Sequence, residues 1–255
     1  DQVPDLQAVI SLNTMDLIVT GLPKIQAVDK MTIEELFAEK YPNGFGPDDV
    51  KYIERSNAEI ASINYTSGTT GFSKGVVTPA NALAGNIIFG LRSNLVYPGC
   101  RHVAFLPLAH AYGCAFDFLA CLAAGGHTHL IGRTPSPKIL MKAFAEVKPT
   151  LILSVPLILE KIYKKMIQPQ ISKTAVSWVL KMPLLDKVVL NKIREKLLNA
   201  FGGEFSQIII GGAPLNAEVE TFLRRIKFPV TVGYGMTETA PLISFTPWTE
   251  FRIQS

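Results

Sequence analysis

The sequence predicts an α/β fold with parallel sheets flanked by helices. Three observations lead there. From about residue 60 onward, short apolar runs alternate with stretches of helical pattern, the order expected when each strand is returned by a helix. Gly and Pro fall at the changes, as at Pro98-Gly99, Gly125-Gly126, Pro149 and Gly202-Gly203. Two strands, Thr150–Val155 and the all-β-branched Ile208-Ile209-Ile210, are apolar without alternation, as strands covered on both faces are.

Residues 1–60 read as a peripheral lead-in and 61–255 as the main α/β part. Leu6–Leu12 and Leu17-Ile18-Val19 are short apolar runs that predict strands. Thr32 is an expected helix N-cap, because its hydroxyl can accept from a free backbone N–H, and Glu34 and Glu35 follow where their charge suits the helix dipole. That helix ends near Lys40, before a loop at Tyr41–Pro47 and a polar surface segment at Asp48–Asn57. Ile60–Tyr65 predicts a strand, followed by a Gly/Ser/Thr loop and then directly by a helix from about Pro79, with Asn81–Leu95 as its body. His102–Leu108 is a strand, Phe116–Ala124 an apolar helix and His127–Ile131 a strand. Ser136–Val147 is a helix stopped at Pro149, and Thr150–Val155 a strand. Pro156–Ile167 is a helix with proline at its first position, where the missing N–H costs nothing. Pro169 and Pro183 bound a further helix. Asp186–Phe201 is a helix, Gln207–Ile210 a strand, Ala217–Lys227 a helix and Val230–Gly233 a strand.

Composition narrows the function classes. Apolar residues make up 48% and charged residues 18%, which describes a chain with a core and excludes disorder. The net charge of +4 comes from scattered basic residues, with pairs at Lys164-Lys165 and Arg224-Arg225. No basic stripe carries interleaved aromatics, so nucleic acid is not an expected partner. Cys100, Cys114 and Cys121 are an odd count, which fits a reducing compartment, and the expected location is cytoplasmic. Cys114 and Cys121 stand in apolar surroundings and read as small core residues. No run reaches the roughly eighteen apolar residues of a membrane span. Oligomeric state and peripheral membrane contact of the full-length protein are left open. Cys100, His102, His110, Cys114, His127 and His129 contain no CxxC pair or HExxH, so the spacing predicts no zinc site.

The chemistry concentrates in Tyr65-Thr66-Ser67-Gly68-Thr69-Thr70-Gly71-Phe72-Ser73-Lys74-Gly75. Glycines let backbone N–H groups turn toward one anion, Ser and Thr add hydroxyl donors, and Lys adds a mobile positive charge. The expected setting is strand, loop, helix, where phosphate loops usually occur. A Walker A loop starting at Gly68 needs Gly at 73 and Ser or Thr at 75; Ser73 and Gly75 stand there instead, so the ordinary nucleotide triphosphatase reading fails. Further stretches end strands in loops: Phe105–Gly113 with His110, Ile208–Leu215 with Gly211-Gly212-Ala213-Pro214, and Val232–Thr239 with Tyr234, Thr237 and Glu238. His110 alone reads first as a satisfied structural histidine, and Gly211-Gly212 as a tight turn. A dinucleotide GxGxxG begun at Gly233 fails at Glu238.

The first stretch resembles the phosphate loop of the acyl-adenylate-forming enzymes, YTSGTTGxPKGV, with Ser73 where proline is usual. Leu106-Pro107-Leu108-Ala109-His110, Gly211–Leu215 and Tyr234–Glu238 are similar to that family's LPLxH, GGAPL and YGxTE segments, in the same order. The resemblance implies the partial N-terminal domain of such an enzyme, of the long-chain fatty-acid–CoA ligase type. It implies that Thr66, Ser67, Gly68, Thr69, Thr70, Gly71 and Lys74 bind the ATP phosphates. Gly211, Gly212, Ala213, Pro214 and Tyr234 would border the adenine. His110, Tyr112, Gly235 and Met236 would line the carboxylate and acyl pocket. Thr237 would bond the α-phosphate and Glu238 would hold Mg²⁺, so Lys74, Thr237 and Glu238 are the expected catalytic residues. ATP, Mg²⁺ and coenzyme A are the implied cofactor and co-substrates. The family continues past these motifs into a small mobile domain, so this chain is expected to be a fragment, weakly active or inactive alone. Adenylation of an aryl or amino acid is the alternative within the class, and a non-catalytic nucleotide-binding module the alternative outside it.

Overall fold

The computed structural model describes residues 8–11, 16–20, 31–51, 54, 56–67, 73–132, 134–172, 182, 185–250 and 252. The chain divides into two compact units, Asp1–Glu54 and Arg55–Ser255.

In the first unit β1 (Ala8–Ile10) pairs antiparallel with β2 (Leu17–Thr20). Helix α1 (Ile33–Lys40) starts as its sequence predicts. Thr32 Oγ1 accepts from Glu35 N at 3.2 Å while Glu35 Oε2 accepts from Thr32 N at 2.8 Å, a reciprocal cap that satisfies two otherwise free donors. Phe37, Tyr41 and Phe45 cluster at its end, with ring centroids 4.9–6.1 Å apart.

The second unit has the predicted α/β character, with mixed rather than purely parallel sheets. Strands β5 (Arg101–Ala104) and β6 (His127–Leu130) form a parallel pair. Strands β7 (Ile152–Ser154), β8 (Ile208–Ile210) and β9 (Val230–Val232) form a parallel sheet in that order. Ile152 stands opposite Ile208, and Ile208 opposite Val230. Helices α3 (Pro137–Val147), α4 (Pro156–Met166), α6 (Leu185–Ala200) and α7 (Ala217–Arg225) supply buried side chains to the core around that sheet, and a short helix α5 (Gln168–Ile171) follows α4. Ser136 and Asn216 cap α3 and α7 through their side-chain oxygens. Phe144 stacks on Phe201 at 5.5 Å, and Phe201 meets Phe205 and Phe228, so aromatic rings close the core where α3 and α6 meet.

The strand expected at His102–Leu108 pairs only over Arg101–Ala104, and two larger sequence expectations change. The reading places a helix directly after the phosphate loop. The structure instead inserts strand β4 (Ser73–Pro79), antiparallel to β3 (Ile60–Ser67), and only then helix α2 (Ala80–Arg92). The β-branched run Val76-Val77-Thr78 suits a strand, and Thr78 is buried while Val77 is exposed. The second change is in the predicted helix Phe116–Ala124. It starts earlier, at Gly113, and runs as a π-helix to Ala120 before an α-helical turn at Cys121–Ala123. A last hairpin, β10 (Tyr234–Gly235) with β11 (Leu242–Ser244), is antiparallel and has no counterpart in the sequence reading.

Candidate active site

Parallel strands bring their carboxyl ends to one side, and loops leaving those ends are free to face a common space. Here β5 leads through Leu106-Pro107 to His110, β7 to Val155, β8 to Gly211-Gly212 and β9 to Gly233-Tyr234, and all of these residues line one cavity of about 490 Å³. Leu106, Val155, Ile209 and Leu242 give it an apolar wall. Thr66, Thr237 and Glu238 add two hydroxyls and a carboxylate.

Hydrogen bonds fix the walls. Tyr112 Oη donates to the Ile209 carbonyl at 3.0 Å, which ties the start of the π-helix to β8. Burial and the negative charge of Asp117 push the Tyr112 pKa well above the usual phenol value, so the ring keeps its proton for that bond. A Cβ on Gly211 would lie 2.8 Å from Tyr112 Cε1, so the space a side chain would take at 211 is already filled by this ring. Gly235 is required for a similar reason: a Cβ there would lie 2.0 Å from the Pro241 carbonyl oxygen. That carbonyl accepts from Met236 N at 2.9 Å and so closes the loop carrying Thr237 and Glu238. Asn86, on α2, holds the same loop from outside. Its Nδ2 donates to the Thr239 carbonyl at 3.2 Å, and its Oδ1 accepts from Leu242 N at 3.0 Å. Asn64 Nδ2 donates to the Ala109 carbonyl at 2.7 Å and ties the β3–β4 hairpin to the His110 loop.

Of the sequence-predicted residues, Thr66, His110, Tyr112, Gly211, Gly212, Tyr234, Gly235, Met236, Thr237 and Glu238 line this cavity. Ser67 ends β3 opposite Ser73, and Lys74 is an exposed residue of β4 opposite Thr66. Ala213 and Pro214 are exposed in the turn after β8 and do not line the cavity. Gly68, Thr69, Thr70 and Gly71 lie outside the described residues. Val155, Asn64, Asn86 and Leu242 were missed. Val155 had a signal, its place at the end of a buried strand; Asn86 had none, because nothing in a helix sequence marks a side chain that caps a distant loop.

The profile of the family described as AMP-binding enzyme matches residues 7–254. The chain belongs to that family. Among relatives of this AMP-binding chain, the Arabidopsis thaliana "Long chain acyl-CoA synthetase 7, peroxisomal" is 30% identical, over 95% of this chain and 36% of its own length. The Saccharomyces cerevisiae "Long-chain-fatty-acid--CoA ligase 4" is 33% identical, over 75% of this chain and 30% of its own length. The chain thus spans about a third of the length of the curated relatives it matches. The crystal structure of apo MatB from Rhodopseudomonas palustris superposes with a TM-score of 0.58 at 23% identity, covering 80% of this chain and 34% of that one. The Bacillus subtilis o-succinylbenzoate CoA synthetase in complex with its acyl-adenylate intermediate gives a TM-score of 0.55 at 20% identity, covering 76% of this chain and 33% of that one. At these identities the structural matches speak for the fold of the AMP-binding domain. Among the described residues no helix is long and apolar enough to cross a membrane.

Proposed function

We propose that the protein carrying this chain activates a carboxylic acid with ATP and transfers it to coenzyme A. A carboxylate oxygen attacks the α-phosphorus, the bond to the bridging oxygen of pyrophosphate breaks, and acyl-AMP remains. The coenzyme A sulfur then attacks the acyl carbon, its thiol proton passes to solvent, and AMP leaves. The observation that carries this reading is the convergence of motifs far apart in sequence on one cavity: Thr66, His110, Gly211, Tyr234, Thr237 and Glu238.

Such a reaction needs positioning and charge stabilisation more than covalent help from the protein. Thr66, Ser67, Gly68, Thr69, Thr70, Gly71 and Lys74 would hold the leaving phosphates, Tyr234 would stack on the adenine, and Thr237 would orient the α-phosphate. Glu238 is exposed at the cavity and makes no hydrogen bond or ion pair among the described residues. Its carboxylate and the Thr237 and Thr66 hydroxyls line the same cavity, and hard oxygen donors of this kind suit Mg²⁺. Bound there, Mg²⁺ would offset the negative charge of the phosphates. The apolar wall of Leu106, Val155, Ile209 and Leu242 supports an apolar acid, and the names of the relatives support a long-chain fatty acid.

ATP–pyrophosphate exchange by the full-length protein, with acetate, benzoate, amino acids and fatty acids of increasing length, tests both parts. Exchange with the longer fatty acids alone is the expected result. Exchange with an aryl or amino acid keeps the reaction and overturns the substrate. No exchange with any acid, in folded protein, leaves a non-catalytic nucleotide-binding module.

A further inference from the structure

Beside β5 and the π-helix lies a side-chain cluster that the proposed reaction does not use. Cys100 stands just before β5, His102 within it, Asp117 in the π-helix and Cys121 in the turn that ends it. Cys100, His102 and Cys121 are 0% exposed and Asp117 1%. The two sulfurs lie 3.7 Å apart, and one ligand atom from each of Cys100, His102 and Cys121 lies within 4.8 Å of the others. His102 Nδ1 is 3.5 Å from Asp117 Oδ1. Neither ring nitrogen of His102, nor Asp117 Oδ2, has a hydrogen-bond partner. Buried polar atoms without partners are rare, and an ion is one of their ordinary explanations.

The sulfur separation excludes one of the chemistries this set could perform. A disulfide needs about 2.05 Å between sulfurs. Two thiolates on one tetrahedral zinc, at about 2.3 Å each, stand about 3.8 Å apart. The observed 3.7 Å excludes a disulfide and fits two thiolates on one cation as well as an S–H···S contact between thiols; the unpartnered imidazole beside the pair favours the cation. The backbone makes room for it: a Cβ on Gly126 would lie 2.5 Å from Cys100 Sγ and 2.7 Å from Cys121 Sγ, so only glycine lets both sulfurs close up. Charge agrees as well. Two thiolates and a neutral imidazole balance the divalent cation itself, leaving the single charge of the Asp117 carboxylate against the His102 ring N–H, and thiolate with imidazole suits zinc among common cations.

We propose that Cys100, His102 and Cys121 form a site for a single thiophilic cation, Zn²⁺, with Asp117 as the positioning residue for the His102 ring. A carboxylate on the far nitrogen of a metal-bound histidine sets its tautomer and orientation. Asp117 Oδ1 faces His102 Nδ1, so its carboxylate serves the ring rather than the cation, and the fourth position is left to a solvent oxygen. Binding releases the two thiol protons to solvent. The cation would tie the start of β5 to the helix that opens at Gly113, a cavity residue. The spacing of these residues predicts no such site; it arises because the fold brings Cys121 back across β5.

The test is metal binding by the full-length protein, with no reference to activity. Purified under reducing conditions, it should hold about one zinc per chain. After chelation, Co²⁺ should restore about one equivalent with thiolate-to-cobalt charge-transfer absorption. Cys121→Ser and Cys100→Ser should remove that absorption, and Asp117→Asn should keep it while weakening affinity by about 10–100-fold. Cys114→Ser, outside the cluster, should change neither. Circular dichroism of each variant without metal, against stripped wild type, separates lost ligation from lost folding. A reduced, folded wild type that takes up neither Zn²⁺ nor Co²⁺ overturns the site, as does cobalt absorption that survives Cys121→Ser.

Discussion

The β3–β4 hairpin and the β7–β8–β9 sheet both serve the same cavity, and they are held in opposite ways. On the hairpin Ile63 and Val77 are each 53% exposed and Tyr65 71% exposed, so little apolar packing fixes it. Its own ladder and the Asn64 tether to Ala109 do that work. In the sheet Ile208 and Ile210 are fully buried, and helices enclose the core around them. The sheet ends are therefore a frame whose geometry is set by packing. The hairpin carries hydroxyls and a lysine on a surface that can change without cost to the core. The difference teaches where to expect loss of stability and where to expect loss of turnover alone.

The strongest break with that division would come from the core. Phe144→Ala, on α3, removes a fully buried ring that meets Phe105 and Phe201, and should cost about 3–5 kcal/mol in denaturant unfolding. Glu238→Gln, at the exposed lip of the cavity, should lower Mg-dependent exchange by about 10²–10³-fold, by analogy with loss of one charge-stabilising group, and leave the unfolding midpoint unchanged. A midpoint that drops as far as in Phe144→Ala would erase the distinction between frame and chemistry. Tyr112→Phe sharpens the comparison, because Tyr112 belongs to both. Losing its bond to Ile209 should cost about 0.5–1.5 kcal/mol, with the cavity shape kept by the ring on Gly211. The smallest effect is expected on the hairpin. Ile63→Thr keeps a β-branched residue on an exposed face and should stay within about 0.5 kcal/mol of wild type. A larger cost, measured by thermal melting, would mean that this face is covered in the full-length protein.

Much of the frame was legible because its signals are local. Thr32, Ser136 and the leading Pro156 mark helix starts within one turn of themselves, and caps and fixed φ angles need no distant partner. Most strand ends were legible too, since a glycine or proline stops an apolar run; the expected strand His102–Leu108 is the exception, ending at Ala104. The site was legible chiefly through its resemblance to the acyl-adenylate-forming enzymes. Gly211 and Gly235 show the limit of reading residues one at a time. The sequence marks them only as residues beside the adenine and the carboxylate, and the structure shows what each glycine also accommodates, the Tyr112 ring and the Pro241 carbonyl.

By itself, then, the sequence determined where most of the strands and helices lie, the α/β class and the order of the motifs, because periodicity, capping and turn chemistry act over a few residues. Tertiary structure alone decided that Ser73–Pro79 pairs as a strand, that Asn86 holds the Thr239–Leu242 loop, and that Cys121 reaches Cys100 and His102. Each of these joins residues far apart along the chain or turns a loop edge into a ladder. Such contacts depend on how strands register and on where a helix crosses them, and no local pattern of residues encodes either.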